Sequence, residues 1–426
     1  MKIKAIRGTK DILPDESGVW SSMEEKAGAL CKLYGYRQIR TPLLEEASLF
    51  QRSIGSSSDI VRKEMYSFRD RKKRLLCLRP EATASVVRAY LEHGLDNNPN
   101  LAKFYYFGPM FRAERPQAGR LRQFHHIGVE AIGSLSPYLD AEVITLAINI
   151  LRQLGIKGYT LHLNNIGCAK DREKHRIELR KVLKGKLKGL CRDCQVRYKK
   201  NILRIFDCKN PACKKITRYL PKTDTYLCSE CSEHYTRVRQ ILKSLNISYE
   251  LNPQLVRGLD YYTKTCFEIT HPNLGAQNAL GAGGRYDNLV SDLGGPQKPA
   301  IGFALGVERM ITALKPQEAK TTIQEFNPFY FITLGEEAKK VGFENLSFLR
   351  KDRIPAEINY QDKSLKAQMR LADRLGVRYA VILGEDELKK NIAILRDMQE
   401  KSQREVALDN LTEELKQCYA RIPAES

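Results

Sequence analysis

The chain has 426 residues, 42% of them hydrophobic, and its 71 Lys/Arg against 50 Asp/Glu leave a net charge of +21. That length accommodates two or three domains, each with its own core, and no run approaches the roughly 18 apolar residues of a membrane span. Residues 1–16 hold no apolar signal segment, so a cytoplasmic protein with a polyanionic partner is the expectation.

In chain order, residues 16–35 have the periodicity of an amphipathic helix, followed by a short strand at 36–41. A second helix spans 82–93 and stops at Gly94. Residues 101–112 and 122–132 alternate as two antiparallel strands, joined by a loop that holds a Pro-Gln-Ala-Gly run. This hairpin is dense in arginine: Arg112, Arg115, Arg120 and Arg122, with Glu114 among them. Planar guanidiniums carried on strand backbone suit a bidentate grip on phosphate oxygens, although a solvated basic hairpin has the same composition. Residues 140–154 read as a helix with apolar spacing at Val143, Ala147, Ile150 and Leu151, closed by Gly155.

Residues 167–239 break this rhythm. Between Lys170 and Lys222 there are 19 Lys/Arg against 5 Asp/Glu, either a solvated basic face or a surface that meets RNA. Strand-like segments resume at 248–256 and 264–270, so the basic stretch reads as an insertion. A glycine-rich run from Gly281 to Tyr286 and a strand–helix unit at 302–314 follow, then a polar linker at 315–327. Beyond it, strands at 329–333, 379–383 and 392–395 alternate with helical segments such as 364–375, which suggests a small α/β domain with a largely parallel sheet.

Eleven cysteines suit a reducing compartment. Six cluster as Cys191-x2-Cys194, Cys208-x4-Cys213 and Cys228-x2-Cys231. The two Cys-x2-Cys knuckles have spacing suited to tetrahedral zinc, with Cys191, Cys194, Cys228 and Cys231 as the chosen ligands. The middle pair competes for those positions, and reduced thiols in a polar insertion are the other reading.

Several short motifs carry a family resemblance. The hairpin resembles motif 2 of the class II aminoacyl-tRNA synthetases, in the form found in histidyl-tRNA synthetases. The Arg7-Gly-Thr-Lys-Asp run and the Thr41-Pro-Leu-Leu-Glu45 run are similar to that family's opening segment and motif 1. Residues 302–309 are similar to motif 3, and Leu255-Val-Arg-Gly-Leu-Asp-Tyr-Tyr262 resembles the signature specific to the histidine enzymes. The resemblance implies an α+β fold: an antiparallel class II catalytic sheet flanked by helices, with an inserted domain and a C-terminal α/β anticodon-binding domain. The implied boundaries are 1–166 and 241–320 for the catalytic halves, 167–240 for the insertion and 327–426 for the anticodon-binding domain.

The same resemblance implies ATP-dependent ligation of L-histidine to its tRNA through histidyl-adenylate, with Mg2+ accompanying ATP and the chain acting as a homodimer built through motif 1. Arg112, Arg257 and Arg309 are the implied catalytic cations: the first two flank the α-phosphate, and Arg309 covers the adenine with Phe124 on its other face. Glu114 would meet the adenine amino group. Glu81 and Thr83 would hold the histidine amino group, Glu130 would accept from the imidazole, and Tyr261 and Tyr262 would lie near the ring. Arg115 and Gln117 would read the extra 5′ guanosine of histidine tRNA.

Two positions depart from the family pattern: Ala82 stands in place of a glycine, and His126 in place of a glutamine that contacts the amino acid. The competing readings are a regulatory paralogue that binds histidine without catalysis, and an RNA-binding module on the same fold.

Overall fold

The computed structural model describes residues 3–55, 58–116, 119–314 and 328–422, apart from the side chains of 276 and 277. The expected linker at 315–327 lies outside these residues. Two compact units divide the chain, Met1–Thr322 and Ile323–Ser426.

The first unit is organised by an eight-stranded sheet. Its order is Arg37–Gln38, Ala102–Phe111, Gln123–Ile132, Ala300–Gly306, Ala279–Arg285, Thr263–Thr270, Thr160–Asn165 and Glu250–Leu251. Every pairing among the six long strands is antiparallel, and only the two-residue edge strands pair in parallel. The hairpin runs in unbroken register from Ala102↔Ile132 to Phe111↔Gln123. The extended pattern expected over 36–41 and 248–256 shrinks to those two short edges.

Period-two alternation divides this sheet into a core face and a working face. Tyr105, Ile127, Val129 and Ala131 point to one side, where they join Val143, Ala147, Ile150 and Leu151 of the helix Pro137–Gln153. The helix Pro14–Leu33 buries Trp20, Met23, Ala27 and Cys31 in the same core; Pro14 starts it, and Asp15 and Glu16 occupy its first turn. Phe104, Tyr106 and Met110 face the other way, toward Tyr261, Tyr262 and Tyr286.

The stretch 167–239 is helical. Ala169–Leu183, Arg192–Lys200, Pro211–Thr217 and Ser229–Ser244 are α-helices, and Ile202–Asp207 is a 3-10 turn. Leu179, Leu183, Ile202, Ile205, Cys194, Cys208 and Cys213 form a small core that also takes in Val256. Ser229–Ser244 instead turns Tyr235, Val238 and Leu242 into the main core.

The second unit holds a five-stranded sheet in the order Ala356–Ile358, Phe329–Thr333, Tyr379–Leu383, Ile392–Asp397 and Gln403–Ala407. Phe329 and Phe331 face the helices Glu336–Lys351 and Leu411–Ala420, while Tyr330 and Ile332 face the helix Leu365–Leu375. Coverage on both faces explains the unbroken apolar run at 329–333. The sheet is mixed rather than largely parallel: two pairings are parallel, and the two made by Ile392–Asp397 are antiparallel. The strand Gln403–Ala407 is mostly exposed and polar, so its hydropathy did not mark it.

Candidate active site

On the working face, Phe124, His126 and Glu130 share one side of Gln123–Ile132 because they sit at even spacing. Gly128 lies between them, opposite Tyr106, and the space a side chain would fill there is taken by the Tyr106 ring. Gly302 is the cross-strand partner of Glu130, and a Cβ at that position would collide with the Glu130 carboxylate. Two glycines thus open the sheet surface where a pocket is needed.

The pocket is a cavity of ≈ 470 Å³. Arg112, Arg257, Arg309, Glu81, Thr83, Glu114, Phe124, His126, Glu130, Tyr261 and Tyr262 all contribute to its wall, so four distant segments of sequence converge here. Arg115 is exposed and stands outside that wall. Gln117 lies outside the described residues.

The inner end of the cavity is acidic and hydroxyl-rich. Tyr286 Oη donates to Glu130 Oε2 at 2.5 Å, and Thr83 Oγ1 donates to Glu130 Oε1 at 2.7 Å. Tyr106 Oη adds a third bond at 3.3 Å. Despite these donors, burial pushes the Glu130 carboxyl up to about 8. Glu81 accepts the backbone N–H groups of Thr83 at 2.6 Å and Ala84 at 3.0 Å, at the start of the helix Thr83–Glu92. Burial raises its pKa as well. Tyr261 and Tyr262 form an aromatic wall, with ring centroids 4.9 Å apart, and Tyr261 meets Tyr286 edge-on.

The outer end is cationic. Arg112 is anchored by Nε donating to Pro80 O at 3.0 Å, and its guanidinium lies 5.3 Å from the centre of the Phe124 ring. Arg309 donates to Ala279 O at 2.6 Å and to Gly119 O at 3.2 Å. Arg257 pairs with Glu268 at 2.5 Å, while its Nε is buried without a hydrogen-bond partner. Glu114 pairs with Arg120 at 2.9 Å.

Remote elements hold this arrangement. Arg79 ties Thr41 to Pro109, donating to Thr41 O at 3.1 Å and to Pro109 O at 3.0 Å. Glu308 accepts from the His125 backbone N–H at 3.0 Å, joining the hairpin to the helix Val307–Ala313. Gly8 O accepts from the Arg122 N–H at 2.7 Å. Gly8 has φ +93°, and a Cβ there would meet Pro116 Cγ at 2.8 Å, so the opening segment can lie against the loop only through glycine.

His126 is half-buried with its Nδ1 shielded from solvent, and this desolvation together with the nearby Arg112 lowers its pKa to about 3. It is therefore a neutral imidazole with one donor and one acceptor, and its Nδ1 has no hydrogen-bond partner. Sequence reasoning missed Tyr106 and Tyr286, which complete the Glu130 environment. Tyr106 follows from alternation on the first hairpin strand, and Tyr286 ends the glycine-rich run already noted.

The expected zinc ligands do not come together. Cys191 and Cys194 gather with Cys208 and Cys213, whereas Cys228 and Cys231 gather with Cys168 and Asp171. Sequence spacing treated the two knuckles as one pair, but they sit at the starts of different helices, Arg192–Lys200 and Ser229–Ser244.

An antiparallel sheet with arginines projecting from its hairpin and from the final strand–helix unit, beside an acidic pocket, is the catalytic architecture of class II aminoacyl-tRNA synthetases. Residues 8–310 match the family model described as Histidyl-tRNA synthetase, and residues 329–418 match the one described as Anticodon binding domain. A histidine–tRNA ligase of Natranaerobius thermophilus is 47% identical over 98% of this chain and 99% of its own length. One from Moorella thermoacetica is 50% identical over 94% of this chain and 95% of its own. The crystal structure of apo S. aureus histidyl-tRNA synthetase is similar with a TM-score of 0.83 at 36% identity, covering 97% of this chain and all of that one. The chain belongs to the histidyl-tRNA synthetase family.

Proposed function

We propose that the chain joins L-histidine to its cognate tRNA in two steps. The histidine carboxylate attacks the α-phosphorus of ATP, giving histidyl-adenylate and diphosphate; a terminal ribose hydroxyl of the tRNA then takes the histidyl group and AMP leaves. The observation that carries this reading is the junction, within one cavity, of three arginines with a buried Glu81/Glu130 pocket. In-line displacement at phosphorus depends chiefly on positioned cations, which Arg112 and Arg257 supply on this reading, while Arg309 and Phe124 bracket the adenine and Glu114 meets its amino group.

Histidine lies with its ammonium toward Glu81 and Thr83 and its ring between Tyr261 and Glu130. His126, a neutral imidazole, takes over part of the amide role at that position. Mg2+ arrives on the ATP phosphates as a nucleotide-borne ion. A structural zinc in the insertion belongs to the same reading. Residues 1–166 and 241–320 act as the catalytic halves, 167–240 as an RNA-facing insertion and 327–426 as the anticodon reader, with Arg115 and Gln117 at the acceptor end.

A homodimer is supported by Leu43, Leu44, Phe68 and Leu75, all exposed on or beside a three-stranded antiparallel sheet of Leu44–Glu46, Leu75–Leu78 and Ser67–Arg69 that follows the Thr41–Pro42 segment. No described helix is long and apolar enough to cross a membrane, and a cytoplasmic location accords with the reading. Histidine-dependent exchange of diphosphate with ATP, followed by charging of histidine tRNA, tests it. Absence of exchange across magnesium concentration and pH would favour a regulatory paralogue or an RNA-binding role.

A further inference from the structure

Four thiols from the insertion converge. The Sγ atoms of Cys191, Cys194, Cys208 and Cys213 all lie within 4.8 Å of one another, and Cys191 Sγ is 3.8 Å from Cys208 Sγ. A Zn–S bond of about 2.3 Å places the sulfurs of a tetrahedral site about 3.8 Å apart. A disulfide would need about 2.05 Å. Cys194, Cys208 and Cys213 are buried, and the group sits in the insertion's own core. Cys191 is the N-cap residue of the helix Arg192–Lys200, where helical N–H groups favour thiolate, and Cys194 lies in its first turn. The Cys191 N–H donates to Cys213 Sγ at 3.2 Å. Four thiolates around Zn2+ carry net negative charge, and they lie in the most basic stretch of the chain.

The second cluster differs in kind. The Asp171 carboxylate is already used by the backbone: it accepts from the Cys228 N–H at 3.0 Å and the Cys168 N–H at 3.2 Å, capping two helices at once.

The chain between Cys194 and Cys208 also reaches the active site. Arg204 donates to Gly258 O at 2.9 Å, and Asn201 donates to Asp260 Oδ1 at 2.8 Å. Arg197 pairs with Asp59 at 3.2 Å and donates to Arg204 O at 3.1 Å. Arg257 opens the segment held by these contacts.

We propose that Cys191, Cys194, Cys208 and Cys213 bind a structural zinc ion that clamps residues 201–207 against the Arg257–Asp260 segment. The metal closes the turn carrying Asn201 and Arg204, so the signature loop rests on a cross-linked surface rather than on a loosely ordered loop. This role for the loop rests on the function proposed above, whereas the metal site stands on geometry alone.

The test uses the full-length protein purified without chelators. Elemental analysis should find about one zinc per chain, and X-ray absorption should find four sulfurs at about 2.3 Å. Cys208→Ser should lose that ion and Cys228→Ser should keep it. Metal-free protein, disulfides among these cysteines, or a single ion lost from Cys228→Ser instead overturns the site. Two ions per chain support it only if Cys208→Ser removes one of them.

Should Cys208→Ser fail to fold, the wild-type protein answers by hydrogen exchange before and after chelation. Exchange across 255–262 should quicken about tenfold or more on metal loss. Unchanged exchange there, with zinc removed, overturns the clamp. Histidine-dependent diphosphate exchange by the untreated protein is read separately, so failure of the metal site and failure of the proposed activity are distinguishable.

Discussion

Glu130 and His126 show how burial sets chemistry at single positions. The Glu130 carboxyl, raised from 4.5 to about 8, is mainly protonated at neutral pH. The unfolded chain loses this proton first as pH rises above about 4.5, so the Glu130 contribution to stability falls until about pH 8 and is then constant. Glu130→Gln removes this term. Its thermal midpoint should gain on the wild type with pH between about 5 and 8 and then run parallel, while the histidine KM rises about tenfold or more. A stability difference that does not change with pH would exclude the effect. His126, held near 3 rather than 6.5, stays neutral through the physiological range. His126→Gln should therefore retain adenylate formation in diphosphate exchange, within about tenfold, and should leave the pH profile between 5 and 8 unshifted. Total loss of exchange would contradict this placement. Neither shift is visible in the sequence, because both arise from residues distant in the chain.

At the scale of elements, a buried ionic knot joins a strand, a helix and the insertion. Arg285 and Asp140 are fully buried and pair at 2.5 Å, Arg285 also pairs with Asp287 at 3.0 Å, and His234 reaches Asp140 at 2.8 Å. Removing one partner strands a charge in the core, so Arg285→Ala should destabilise the first unit by about 3–5 kcal/mol in denaturant unfolding. A loss below about 1 kcal/mol would show that water reaches the site. The hairpin was legible from alternation and the helix Pro137–Gln153 from its apolar spacing, since both patterns are local. The edge strands at 37–38 and 250–251 were overestimated in length, because apolar residues outside the ladder extend the same pattern. The mixed sheet of the second unit was misread for the converse reason: Gln403–Ala407 has little buried surface to announce it.

Across the whole molecule, the charge excess concentrates on an exposed part of the insertion, where Lys184, Lys186 and Lys188 follow the helix Ala169–Leu183. If this face meets tRNA phosphates, replacing all three with Gln should weaken tRNA binding. The slope of log K against log salt should also become shallower by about 2, while diphosphate exchange is unaffected. An unchanged slope would place the RNA elsewhere.

Motif order, charge distribution, the hairpin and the three arginines were determined by the sequence itself, because short-range patterning and local chemistry survive without knowledge of the fold. Only the tertiary structure decided which cysteines meet, that Tyr106 and Tyr286 complete the Glu130 pocket, and that His126 is neutral. Each depends on distances between segments far apart in the chain, set by strand register and by the packing of helices, which spacing along the sequence does not encode.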